Sequence, residues 1–249
     1  MNESRRDLVL LHGWGMNAGV WSPLLPDLAR RWQVHLAELP GHGTAPWDAA
    51  DGGLEGWAQA VLADAPERAV WLGWSLGGLV ALQAAAMAPE RVAALALVAA
   101  TPRFVQGPDW THAMPPEVLA EFADALLENP RQTLERFLAL QVKGGEEPRL
   151  TLRTLRQALA RRPEPRREAL ERGLRLLAES DLREVIEVLE PPLRVLMGGR
   201  DTLVPAAVAE EMRRLAPALP VTVVPGAAHA PFLSHPAGSL RWLEGLADG

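Results

Sequence analysis

Six short runs of the chain read as β-strands: 8–11 (LVLL), 34–36 (VHL), 69–73 (AVWLG), 95–99 (LALVA), 193–198 (LRVLMG) and 221–224 (VTVV). Most are apolar on successive residues rather than on alternate ones. A strand with one wet face alternates, so a strand apolar throughout must be covered on both faces. That is the situation of a parallel sheet with helices above and below it. Helix-period patterns lie between the runs, as at 75–88 and 208–216. Strand and helix in alternation predict βαβ units and a doubly wound α/β domain. With 249 residues, 48% of them hydrophobic, the chain has enough apolar material for one such core.

One segment breaks the alternation. From about Pro108 to Asp181 no strand is expected, and helical stretches fall at 116–128, 131–142, 149–161 and 165–180. Pro130, the Gly144-Gly145 pair and Pro163 punctuate them, as short helix–helix connections require. The expected organisation is an α/β core in two parts, 1–107 and 184–249, with 108–183 inserted between them as a helical lid.

The run 69–73 leads into Gly73-Trp74-Ser75-Leu76-Gly77, which fits G-x-S-x-G, and a helical pattern follows at once. A strand before this motif and a helix after it are what give it meaning. A nucleophile must stand clear of the backbone on a tight turn, and small flanking residues let strand and helix pack against that turn. The helix N-terminus then aims free N–H groups at a developing oxyanion. A serine hydroxyl needs a base, so a histidine and an acid should follow in the order Ser, Asp, His. Of the six histidines (His12, His35, His42, His112, His229 and His235), only the last two follow the serine at the end of a late strand. His229 lies in the loop after the last strand, whereas His235 precedes Pro236 and reads as the opening of the final helix. Loops at the carboxyl ends of parallel strands build such sites, which favours His229. Asp201, after the strand 193–198, is in place to fix the imidazole tautomer and stabilise the imidazolium. The loop His12-Gly13-Trp14-Gly15 offers a second oxyanion donor, the N–H of Trp14, beside that of Leu76. Gly13 and Gly15 also suit an ordinary turn.

The absence of cysteine removes disulfides, thiolate chemistry and Cys-ligated zinc. No cluster of ligand residues suggests a metal, and no cofactor is expected. A net charge of -6 argues against a nucleic-acid partner. No stretch of eighteen apolar residues offers a membrane span, and LVLL is far shorter than a signal-peptide core. A cytoplasmic monomer is the expectation.

The motifs HGWG, GWSLGG, GGRDTLVP and AAHAPFLSHP occur in this order along nearly the whole chain and resemble those of α/β-hydrolases. The resemblance implies an α/β-hydrolase fold with a mainly parallel sheet of about six to seven strands, helices on both faces and an inserted lid. In one respect the chain departs from that pattern: about seven residues precede the first parallel strand, where the family usually has further strands. LVLLHGWGMNAGVW, WLGWSLGGLVA, ERFLALQ and AAHAPFLSHPA resemble more narrowly the pimeloyl-acyl-carrier-protein methyl ester esterases of biotin synthesis. That likeness implies the triad Ser75, Asp201 and His229, with Trp14 and Leu76 at oxyanion and substrate-contacting positions. It implies an acyl channel lined by Phe137, Leu138, Ala139, Leu140 and Gln141, though Phe137, Leu138 and Leu140 also fit the core face of an amphipathic helix. It further implies acyl carrier protein as partner, docked on lid arginines at Arg136, Arg149 and Arg153, with Gln132 at a fourth position beside Arg131. Independently of the likeness, 149–175 holds nine arginines against three glutamates, and Arg149, Arg153 and Arg156 recur at i, i+4, i+7 on one helix face. Such a patch suits an acidic carrier. It equally suits a solvated helix in a chain whose cations are all arginine except Lys143. A general carboxylesterase, a carbon–carbon bond hydrolase and a non-catalytic binding module are the competing readings.

Overall fold

A computed structural model describes residues 5–48 and 52–246, so the outermost ends of the two expected core segments, 1–4 and 247–249, lie outside the described residues. All six expected strands are present: β1 (Arg6–Leu11), β2 (Trp32–Ala37), β3 (Ala69–Trp74), β4 (Val92–Val98), β5 (Leu193–Gly198) and β6 (Val221–Val224). They form one sheet in the order β2-β1-β3-β4-β5-β6, with every neighbouring pair parallel. β1 and β2 begin earlier than the apolar runs do, because Arg6, Asp7 and Gln33 join the ladder through their backbones. β4 begins three residues before the expected 95–99 run and ends one residue short of its end, because Ala99 has φ 44 and leaves the extended region.

Successive residues of β3 serve opposite faces of the sheet. Trp71 packs into a cluster with Trp57, Leu79, Leu95 and Met197. Leu72 and Trp74 pack into a second cluster with Trp21, Trp32, Phe232 and Leu243. Around the sheet run α1 (Leu25–Leu28), α2 (Gly53–Asp64) and α3 (Leu76–Met87). The segment between β4 and β5 holds α4 (Pro116–Glu128), α5 (Pro130–Gln141), α6 (Pro148–Leu159), α7 (Arg167–Glu179) and α8 (Arg183–Val188). Then come α9 (Val208–Leu215), α10 (Pro231–Ser234) and α11 (Pro236–Glu244). Among the described residues no helix is long and apolar enough to cross a membrane.

Three of the helices between β4 and β5, namely α4, α5 and α6, start on prolines. Pro130 and Pro148 sit at the first helical positions, where a missing N–H costs nothing, so α5 and α6 each begin one residue before the expected start. Asn129 caps α5 by accepting from Gln132 N at 3.1 Å. The turn between α5 and α6 contains Gly144 at φ 83 and carries Lys143 on its exposed side. Before α4, the segment 104–114 makes only isolated bridges, Val105 with Met114 and Gly107 with Trp110. It is clamped from α9 by Glu211, which accepts from Thr111 N at 2.7 Å and Thr111 Oγ1 at 3.2 Å and lies 3.1 Å from His112 Nδ1.

Candidate active site

β3 and α3 are separated by one residue, Ser75, at φ 56 and ψ −122. A side-chain-bearing residue in that region is strained and persists only where its surroundings hold it. Here Ser75 N donates to Val98 O at 3.0 Å, and Gly78 N donates to Ser75 O at 2.8 Å. The glycines around it are required for clearance. A Cβ on Gly73 would stand 2.4 Å from Gly77 O, and one on Gly77 would stand 2.4 Å from His12 O. On Gly13 it would meet Ser75 Cβ at 3.1 Å, which seats the loop after β1 directly against the serine.

His229 follows β6 and is 1% exposed. Its Nδ1 lies 2.7 Å from Asp201 Oδ2. The other carboxylate oxygen of Asp201 accepts from Leu203 N at 2.8 Å and Val204 N at 3.0 Å, so the acid is fixed before it orients the ring. His229 N donates to Gln141 O at 3.0 Å, and Trp74 Nε1 donates to His229 O at 2.8 Å. These two bonds hold the His229 backbone between α5 and the serine corner. Nε2 of His229 is buried and carries no hydrogen bond. With Nδ1 committed to Asp201, Nε2 is the atom left to take a proton.

The remaining histidines are otherwise engaged. His35 lies 2.6 Å from Asp7, and His112 faces Glu211. Burial, and then the neighbouring His12, push His42 down to about 3, so it stays neutral. His235 contacts Ser234 and lies 3.4 Å from Glu146. Among the described residues neither Trp14 N nor Leu76 N donates to any acceptor, which leaves both amides for a ligand oxygen. The Trp14 indole is pinned separately: its Nε1 donates to Leu170 O at 2.8 Å, and Phe137 meets it edge-on at 4.7 Å. Gly173 of α7 makes room for that ring, since a Cβ there would stand 2.7 Å from Trp14 Cδ1.

The five residues 137–141 divide. Phe137 reaches Trp14 and Gln141 reaches His229, while Leu138 joins the cluster around Trp74, Leu140 is half-buried and Ala139 is exposed. Gln141 is 1% exposed, yet neither atom of its side-chain amide has a partner. Of the lid arginines, Arg149 and Arg153 are exposed and without an ion-pair partner among the described residues. Arg156 is tied to Glu135 at 2.7 Å, and Arg136 lies over the Phe122 ring at 5.2 Å. Gln132 and Arg131 are exposed at the start of α5. The amides of Leu203 and Val204, and the Trp74 bond to His229, were not anticipated from sequence. The D-x-x-V spacing of Asp201 and Val204 is a signal for the former. No local signal exists for the latter, which joins residues 155 apart. Among the described residues no group of acidic or histidine side chains is arranged to hold a metal.

A parallel sheet with a strained serine between β3 and α3, and with an Asp–His pair on the loops after β5 and β6, defines a class of protein. The chain belongs to the alpha/beta hydrolase family, whose family model matches residues 8–241. Its curated relatives narrow the class. The chain is 48% identical over 238 residues to a pimeloyl-[acyl-carrier protein] methyl ester esterase of Photobacterium profundum, covering 96% of this chain and 93% of that one. An esterase of the same name from Edwardsiella ictaluri is 44% identical, covering 98% of this chain and 94% of its own length. The fold is shared with an esterase from Exiguobacterium antarcticum at a TM-score of 0.87 and 19% identity, covering 99% of this chain and 93% of that one.

Proposed function

We propose that this chain is a serine carboxylesterase that hydrolyses the methyl ester of a pimeloyl group carried on acyl carrier protein, releasing methanol. The observation that carries the reading is the Asp201–His229 pair at 2.7 Å, with its free Nε2, bonded through His229 O to Trp74, the neighbour of a serine held at φ 56. The relatives named for that activity, alike over more than nine-tenths of the chain, supply the substrate. His229 Nε2 takes the proton of Ser75 as its Oγ attacks the ester carbonyl. The N–H groups of Trp14 and Leu76 hold the oxyanion. Protonated His229 gives its proton to the departing methoxide, and methanol leaves. Water, deprotonated by the same histidine, then attacks the acyl-enzyme and frees Ser75.

Ser75 is 3% exposed, and in this reading the acyl chain reaches it beneath residues 108–183, which act as the lid. Phe137 and Gln141 line the path beside Trp14 and His229. Arg149 and Arg153, with Arg136, form the docking face for the acidic carrier; Arg156 contributes less because Glu135 neutralises it. The enzyme acts as a monomer in the cytoplasm. Ser75→Ala is expected to abolish turnover of the carrier-borne ester while leaving the circular dichroism spectrum and Tm unchanged. Substantial residual turnover in a clean preparation would remove the nucleophile assignment.

A further inference from the structure

Next to the oxyanion loop lies a second group of buried ionisable side chains that the mechanism above does not use. Glu38 follows β2 directly, and its side chain is 8% exposed. Oε2 accepts from Ala18 N at 3.3 Å and lies 3.3 Å from His12 Nε2. Oε1 lies 2.9 Å from Arg162 Nη1, a contact made through charge, because Oε1 accepts no hydrogen bond of good geometry. Gly43, at φ 53, opens the space for the carboxylate: a Cβ there would stand 2.4 Å from it. His12 Nε2 already accepts from Leu39 N at 3.1 Å, and His12 Nδ1 lies 2.9 Å from Gly13 O. A ring nitrogen that accepts from an amide turns its lone pair outward and gives a carboxylate nothing. The charge of Glu38 is therefore balanced by Arg162, and Arg162 sits on the connector between α6 and α7, within the lid segment.

Two more bonds hold the end of α6 and that connector to the loops after β1 and β2. Asn17 Nδ2 donates to Leu159 O at 3.1 Å, and Arg166 N donates to Gly41 O at 2.8 Å. On its other side the oxyanion loop abuts the serine corner, with His12 O against Gly77 and Gly13 against Ser75. A path of contacts thus runs from the connector through Arg162 and Glu38 to Ala18 N, at the end of the loop after β1 whose backbone carries Trp14 N–H.

We infer that Glu38 and Arg162 are positioning residues for catalysis: the seating of the lid connector, read through their ion pair, sets where Trp14 N–H stands opposite Ser75. This rests on the proposed oxyanion donors. The test compares wild type with Arg162→Gln, Arg162→Lys, Glu38→Gln and the double variant E38Q/R162Q. Arg161→Gln, at an exposed neighbour, serves as control. An aliquot of each preparation is titrated to completion with a fluorophosphonate, so that rates of the unlabelled remainder are expressed per reactive Ser75, and p-nitrophenyl butyrate serves as a substrate that needs no carrier.

The expected result for Arg162→Gln is a kcat lower by about tenfold with KM within about twofold, the pattern of a misplaced transition-state donor. A trifluoromethyl ketone should bind more weakly by the same factor, while butyrate binding stays constant. Arg162→Lys should recover most of the loss, and the double variant should be no slower than the worse single one. Arg161→Gln should match wild type. An unchanged kcat in both Arg162→Gln and Glu38→Gln, or a rise confined to KM, would overturn the inference and make the pair a structural tie only. A wild-type protein that never labels at Ser75 would instead overturn the nucleophile assignment beneath it.

Discussion

At the scale of the residue, the site is governed by clearance. Ser75 tolerates a strained backbone because glycines let β3, α3 and the loop after β1 close around it. Adding one methyl at Gly77 sets a Cβ 2.4 Å from a backbone carbonyl that has no room to retreat. Gly77→Ala is expected to cost at least about 2–3 kcal/mol and to lower Tm in proportion. Gly238→Ala, inside α11 with nothing within 4 Å of the new Cβ, should instead gain about 0.5–1 kcal/mol. Paired melting curves of the two variants check both signs. Asp201→Asn should keep the fold but lower kcat by roughly 10³–10⁴, through loss of the tautomer that leaves Nε2 free. The pairing of Asp201 with His229, and the tight turn at Ser75, could be anticipated from the sequence because the proposed reaction restricts residue type, order and position after a strand. The Glu38–Arg162 pair could not. Its partners lie on different elements and meet only once the lid connector is seated, so no local pattern records them.

At the scale of the element, apolar runs located all six strands, and helical periodicity located the four main inserted helices. Several of the boundaries that shifted did so for backbone reasons that hydrophobicity does not report: prolines inside the first turns of α5 and α6, and a left-handed Ala99 after β4. The bridged segment 104–114 was also unreadable, since a polar side chain on α9 shapes it. Burial works against the Glu211 charge, but the N–H groups of Thr111 and His112 and the side chains of both outweigh it and hold this carboxyl below the ordinary glutamate range. A carboxyl held low in the folded state stabilises fully above its unfolded value near 4.5, and that contribution fades as pH falls through the lower folded value. Glu211→Gln should therefore melt below wild type at pH 7, and the gap between the two should narrow below about pH 4.5. A Tm difference independent of pH would refute the role of the charge.

At the scale of the whole molecule, a chain of net charge -6 exposes Arg149 and Arg153 on α6, with no ion-pair partner among the described residues. If Arg149 and Arg153 receive an acidic carrier, the carrier-borne methyl ester should react faster than the same ester without carrier at low salt. That advantage should shrink above about 0.1 M salt, where the screening length falls to about 10 Å. The double variant R149E/R153E should raise KM for the carrier-borne ester and leave the free ester unchanged. Equal behaviour of both esters across the salt series would reduce the face to solvated surface. The composition that made these arginines ambiguous in the sequence has a practical use. Lys143 stands exposed on the turn after α5, two residues from the carbonyl that binds His229, in a chain with one lysine and no cysteine. Apart from the α-amino group it is the only primary amine, so an amine-reactive fluorophore can attach at no side chain but Lys143, and an α-amino group blocked beforehand makes that labelling specific. The unmodified sequence thus offers a single site at which an optical reporter can follow the surroundings of the turn after α5.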